Sequence, residues 1–265
     1  MLTAFGRFVL EILLCLPPLF PRFAVAWVIS FAVLVLLFSN VKSRVRGQIK
    51  SFDEHVRIWA AALRYRTEHA LTEHGISELA VQQERVALSW FFRFWTNFAS
   101  APSLSVWSMV IPFTILYRDG FSETLPISLV SAWLLPGLCY AGSMLLSFVI
   151  KRVFKRVRPP RPGKAFGYKL KDPSFPSGHS LTSFCFWTMF TLVLVQSSVF
   201  SVPAIVLLAL MAMSIVILTG VSRIYLGVHF PSDVLGGYTI GAVWCVAFYF
   251  ALPPIINDVL KGLFS

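Results

Sequence analysis

Charge is scarce in this chain. Only 13% of its 265 residues are charged, against roughly 25% in an ordinary soluble domain. Acids are scarcest, with 12 Asp and Glu facing 23 Lys and Arg, while 57% of the residues are hydrophobic. That balance excludes a water-soluble globule, because the apolar residues are gathered in runs and not scattered. No Cys-x-x-Cys pair occurs, and Cys15, Cys139, Cys185 and Cys245 all lie inside apolar runs. They read as small buried hydrophobes, not as a disulfide or metal framework. The five histidines do not group at metal-ligand spacing either. Repeats and low-complexity tracts are missing, and no small-x-small cleavage site follows the first apolar stretch.

What is present is oil in long pieces. A bilayer core takes about 20 mostly apolar residues per helix. Runs at 23–38, 104–117, 125–150, 180–200, 202–221 and 234–251 predict six spans, hence an all-α, polytopic membrane bundle. Residues 1–22, interrupted by Glu11, Pro17, Pro18, Pro21 and Arg22, read as an interfacial or kinked helix, and 23–40 as the first span. Residues 41–102 form a polar, partly amphipathic helical segment outside the membrane, between the first and second spans. Residues 103–253 form the core and 254–265 a tail. Val56, Trp59, Ala60 and Leu63 recur at helical spacing. The cluster Trp90, Phe91, Phe92, Phe94, Trp95 and Phe98 suits an interface belt. Gly237 and Gly241 make a small-x-x-x-small pair that permits close helix contact. Six spans put the connections 41–103, 151–179 and 222–233 on one face, and with them nearly all the unusual polar chemistry.

Nine of the 23 basic residues lie between 151 and 171, with one acid, Asp172, just beyond; nine more lie between 42 and 93, where six acids share the segment. Basic blocks can serve nucleic acid, but in a membrane chain phosphorylated lipid head groups are the expected partner and nucleic acid is not. Three segments converge on the polar face. In KRVFKRVRPPRPG (151–163), Lys151 closes a span, Arg156 and Arg158 follow, and Pro159 fixes an extended chain. Alone, this block is also what topology anchoring produces. In PSGH, Ser177 can cap a helix, Gly178 lets an oxyanion approach the backbone, and His179 is within reach of that anion. Alone, it is also a plain cap with a snorkelling ring. In SRIYLGVHFPSD, Arg223 ends one span, His229 lies in the loop, and Asp233 follows four residues later. A carboxylate on one ring nitrogen fixes the tautomer and frees the other as nucleophile or base. Together these make a phosphate site. The cations and a helix N-terminus would neutralise a phosphoryl transition state, one imidazole would attack phosphorus, and the other would protonate the leaving alkoxide. Such a site needs no metal or cofactor.

Lys151-x6-Arg158-Pro159, Pro176-Ser177-Gly178-His179 and Ser222-Arg223-x5-His229-x3-Asp233 resemble the three signature motifs of the type 2 phosphatidic acid phosphatase (PAP2) superfamily, which is related to the vanadium-dependent haloperoxidases. The resemblance covers roughly residues 100–250 and leaves 41–90 without an assignment. It implies a six-helix membrane core and a metal-independent lipid phosphatase. His229 would be the nucleophile forming a phospho-histidine, Asp233 would orient it, and His179 would be the general acid. Lys151, Arg158, Ser177, Gly178 and Arg223 would bind the phosphate oxygens, with Arg156 and Arg161 as further basic residues behind them. Substrates of that kind are phosphatidylglycerophosphate, phosphatidate, a polyprenyl pyrophosphate or lipid A phosphates. A phosphotransferase using the same intermediate, or a non-catalytic lipid-binding or transport protein, is the alternative. The expected place is a bacterial inner (plasma) membrane with the site on the periplasmic, non-cytoplasmic face, although the Lys and Arg bias of the loops points the other way.

Overall fold

A computed structural model describes residues 21, 23–34, 36, 46–73, 78–100, 102–108, 127–160, 172–196 and 201–251. Every regular element among the described residues is a helix. In chain order these are α1 (Phe23–Leu34), α2 (Arg46–Glu73), α3 (Glu78–Phe98), α4 (102–108), α5 (Ile127–Phe154), α6 (Gly178–Gln196), α7 (Val202–Tyr225) and α8 (Pro231–Ala251).

Four of them are long and apolar enough to cross a bilayer: Leu135–Phe154 within α5, Gly178–Val195 within α6, and the whole of α7 and α8. The chain is an integral membrane protein. Of the six spans expected from the sequence, these four have counterparts, so the count among the described residues is four and not six. The first expected span is represented by the shorter apolar helix α1, and the second lies outside the described residues beyond Ser108. The readings of 1–20, of the tail 254–265 and of the connection 118–124 also fall outside them.

Helix α6 is the hub, packed against α5, α7 and α8, while α3 runs along α7 and α2 rests on α3, α7 and α8. Between helices in lipid the hydrophobic effect supplies little, so close approach and interhelical hydrogen bonds carry the packing. Gly237 provides the closest approach where it matters. A Cβ there would stand 3.0 Å from the Ser177 carbonyl oxygen and 3.2 Å from Ser180 Cβ. The expected small-residue pair therefore seats the start of α6 directly on α8. Further down, Trp244 Nε1 donates to the Cys139 carbonyl at 2.8 Å and Tyr238 Oη to the Val216 carbonyl at 2.7 Å. Each such bond is worth about 0.6 kcal/mol in a membrane protein.

The polar 41–102 segment becomes two long helices. Their aromatic surface is split: Trp90, Phe91 and Phe94 are exposed, as an interface belt requires, while Phe92 stacks on Tyr225 with ring centroids 4.2 Å apart. On α2 the expected stripe is modified. Ala60 is buried and Val56 half-buried, but Trp59 points outward. The residue that completes the inward face, at spacings of three and seven from Val56 and Ala60, is Asp53, only 2% exposed.

Candidate active site

The start of α8 organises the site. Pro231 occupies the first helical position, where its missing N–H is no loss. Asp233, two residues on, reaches back so that its Oδ2 accepts the Phe230 N–H at 2.9 Å, the reciprocal half of a capping box. The same oxygen accepts from Ser174 Oγ and lies 3.6 Å from His229 Nδ1. At that distance the contact lies slightly beyond a hydrogen bond, and buried His229 Nδ1 has no hydrogen-bond partner among the described residues. On the other side of the ring, Arg158 Nη1 is 3.2 Å from His229 Nε2. Because a guanidinium only donates, Nε2 must be the acceptor, which leaves the proton on Nδ1, facing Asp233. This is the tautomer the sequence pattern calls for.

His229 is held by its own loop: the Val228 and His229 N–H groups donate to the Arg223 carbonyl at 3.1 and 3.4 Å. Gly227 makes the turn possible with φ +66°, a region that only glycine enters freely. Burial is the main force on the imidazole and pushes its pKa down; Arg223 and Arg158 add to that, Asp233 opposes it, and the outcome is about 4. An imidazole with that pKa is neutral near pH 7.

The basic segment enters from α5. Lys151 and Arg152 close that helix, and Lys155 turns the chain with φ +45°. Arg158 donates to the Val228 carbonyl at 2.9 Å and grips Asp172 through Nη2 to both carboxylate oxygens at 2.9 Å. Lys151 Nζ binds the same carboxylate. Burial opposes ionisation of Asp172, yet Lys151 and Arg158 outweigh it and hold its carboxyl below the usual range. Arg156 faces inward. It donates to Asp233 Oδ1 at 2.8 Å, Ser232 Oγ at 2.7 Å and Asp53 Oδ2 at 2.6 Å, with its guanidinium 4.3 Å above the Phe230 ring.

Ser177 and Gly178 open α6 against α8, where the Ser177 N–H donates to the Asp233 carbonyl at 3.0 Å. The Ser177 hydroxyl is buried and accepts from Ser180 Oγ at 2.9 Å. His179, half-buried one residue later, feels the charges of Arg223, His229, Lys151 and Arg158. Arg223 reaches this place from the last turn of α7 and donates to Thr96 Oγ1 of α3 at 3.1 Å. The structure thus draws Lys151, Arg156, Arg158, Ser177, Gly178, His179, Arg223, His229 and Asp233 to one end of the bundle. Arg161 lies outside the described residues.

Five further polar residues join them: Asp53, Thr96, Asp172, Ser174 and Ser232. Asp53 left one trace in the sequence, an acid in register with an apolar helical stripe, and Asp172 another, the one acid beside the basic block; Thr96, Ser174 and Ser232 left none. Away from this end, the Sγ atoms of Cys139, Cys185 and Cys245 lie within 4.8 Å of one another, all free and buried. They pack with Met189, Ile240, Trp244 and Phe248, in the apolar surroundings expected of buried hydrophobes, although their proximity is the geometry a soft metal would use.

Residues 132–256 match the family model described as the PAP2 superfamily. Over 106 residues the chain is 37% identical to phosphatidylglycerophosphatase B of Bacillus subtilis, covering 39% of this chain and 50% of that protein. Over 127 residues it is 28% identical to a lipid A 1-phosphatase of Rhizobium etli, covering 45% and 49%. The crystal structure of a transmembrane PAP2 type phosphatidylglycerolphosphate phosphatase from Bacillus subtilis aligns at a TM-score of 0.60, with 24% identity, over 83% of this chain and 94% of that one. That likeness establishes a shared fold. The chain spans about half the length of these curated relatives. All the motif residues fall inside 132–256, whereas α2 and α3 fall outside it.

Proposed function

We propose that the protein is a member of the PAP2 superfamily, whose family model residues 132–256 match, and a membrane lipid phosphatase that cleaves a phosphomonoester or pyrophosphate through a phospho-histidine. One observation carries the reading: His229 stands between Arg158 on Nε2 and Asp233 on Nδ1, buried and neutral. Its Nε2 lone pair attacks phosphorus as the bond to the lipid oxygen breaks, and His179 gives that oxygen its proton. Asp233 balances the positive charge that develops on the imidazole. Lys151, Arg158 and Arg223 neutralise the equatorial phosphoryl oxygens, with Arg158 turning its guanidinium from Nε2 to the substrate. Water, losing a proton to His179, then attacks the phospho-histidine, releasing phosphate and restoring both rings. The chain's own cations supply all the positive charge this sequence of steps requires.

Phosphate release from short-chain phosphatidate and phosphatidylglycerophosphate in detergent tests the reading. His229→Ala should lower it by at least about 10³-fold, and equal release from the two proteins would sink the mechanism. Phosphatidylglycerophosphate heads the panel because a curated relative and a solved structure similar to this chain, both from Bacillus subtilis, carry that activity in their names. A phosphotransferase would instead show product formation that depends on an added alcohol acceptor. We propose that the site lies on the periplasmic face of an inner membrane, the orientation that the family resemblance implies; the opposing Lys and Arg bias weighs little, since loop cations that bind phosphate are weak topology signals. An impermeant maleimide should label an Ala165→Cys variant in intact cells; labelling only after lysis reverses the orientation.

A further inference from the structure

Helices α2 and α3 fall outside the family match, yet one of them reaches the reacting end of the bundle. Asp53 of α2 has a side chain only 3% exposed, and both of its oxygens are used. Oδ1 accepts the Ser232 N–H at 2.9 Å; Oδ2 accepts from Ser232 Oγ at 2.6 Å and Arg156 Nη2 at 2.6 Å. The Ser232 N–H is one of the donors that the first turn of a helix leaves without an intrahelical partner, so Asp53 caps α8 from a different helix. Arg156 spans from Asp53 to Asp233 Oδ1 at 2.8 Å. Asp233 in turn presents Oδ2 to His229.

We infer that Asp53 is a positioning residue for the phosphoryl transfer, acting on His229 through Arg156 and Asp233. This rests on the function proposed above. Two carboxylates share one guanidinium, so the unit keeps a net negative charge. Asp53 takes up part of the charge of Arg156, and Asp233 retains enough of its own to balance the imidazolium that forms as His229 bonds to phosphorus. Remove the Asp53 charge and Arg156 is compensated by Asp233 alone, at the moment the ring needs that carboxylate. A residue that merely capped α8 would affect folding and every ligand alike. A positioning residue affects the bond-forming state selectively.

The test compares wild type with Asp53→Asn in detergent. Expected for the variant is a kcat at least tenfold lower with KM within threefold. Orthovanadate, which becomes five-coordinate on bonding to the imidazole, should bind at least tenfold more weakly, while inorganic phosphate changes less than threefold. Adding Arg156→Lys, which keeps the charge but cannot fork between two carboxylates, should lower kcat no further. A kcat within twofold of wild type, or equal weakening of vanadate and phosphate, would overturn the inference. If Asp53→Asn does not fold, Arg156→Lys alone is read in its place and must show the same split. A wild-type protein inactive on every lipid phosphate defeats the proposed function, whereas the vanadate-to-phosphate ratio still decides the role of Asp53.

Discussion

The two ends of the basic segment use the same chemistry to opposite effect. At the inner end Arg156 lies between Asp53 and Asp233, whose side chains are 3% and 0% exposed. At the outer end Lys151 and Arg158 share Asp172, which is 48% exposed. Burial decides what each arrangement can do. Removing one partner from a buried pair strands a charge and costs about 3–5 kcal/mol, so the inner end is a fixed frame. At the outer end the cations are 17% and 13% exposed but their shared anion is half exposed, and an ion pair open to water on one side is worth about 0–1 kcal/mol, so the outer end can exchange its anion. The phosphatase proposed above uses both: a carboxylate fixed beside His229, and cations whose carboxylate gives way to phosphate.

The larger effect is expected at the inner end and is read through pH. His229, with a side chain 2% exposed, has its pKa pushed down by burial and then by Arg223 and Arg158, to about 4. An unfolded histidine titrates near 6.5. Between those values the folded protein binds fewer protons than the unfolded chain, so stability falls as pH falls. The contribution is complete above about pH 6.5 and is lost toward pH 4, amounting to roughly 3 kcal/mol. Thermal unfolding of wild type in detergent at pH 7.5 and 4.5 should show this loss, and His229→Gln should flatten it. Identical slopes for the two proteins would mean that the imidazole is not held neutral by the fold, and the contrast between the two ends would lose its buried half.

Much of this architecture was readable without coordinates, for a physical reason. Spans announce themselves because hydrocarbon tolerates few charges, so α5, α6, α7 and α8 follow from apolar runs of sufficient length. His229 and Asp233 were legible because the partner sits a fixed four residues away, and Gly237 because small residues mark close helix contact. Asp53 was not legible as a partner of Arg156, since a contact across 103 positions leaves no spacing to read. The same holds for Thr96 beneath Arg223, 127 positions apart. Asp172 looked like a lone counter-charge; only the fold shows that it bridges Lys151 and Arg158. The polar composition of 41–102 suggested a solvated surface, and its one buried acid is the residue that composition could not single out.

The smaller effect belongs to the outer end, and Asp172→Asn isolates it. In the folded protein the Asp172 carboxylate occupies Lys151 and Arg158, so an incoming phosphate must displace it before both cations can bind. Apparent affinity is then reduced by the fraction of molecules in which those cations are engaged. The asparagine keeps the size and loses the charge. Inhibition by inorganic phosphate should tighten by about three- to tenfold and KM should fall with it, while kcat stays within about twofold. Stability should change by less than about 1 kcal/mol, because the carboxylate that is lost is half exposed and screened, although Lys151 and Arg158 are themselves only 17% and 13% exposed. Weaker phosphate inhibition in the variant would reverse the assignment: Asp172 would then be holding the two cations in place for the substrate, and the outer end would be as much a fixed frame as the inner one.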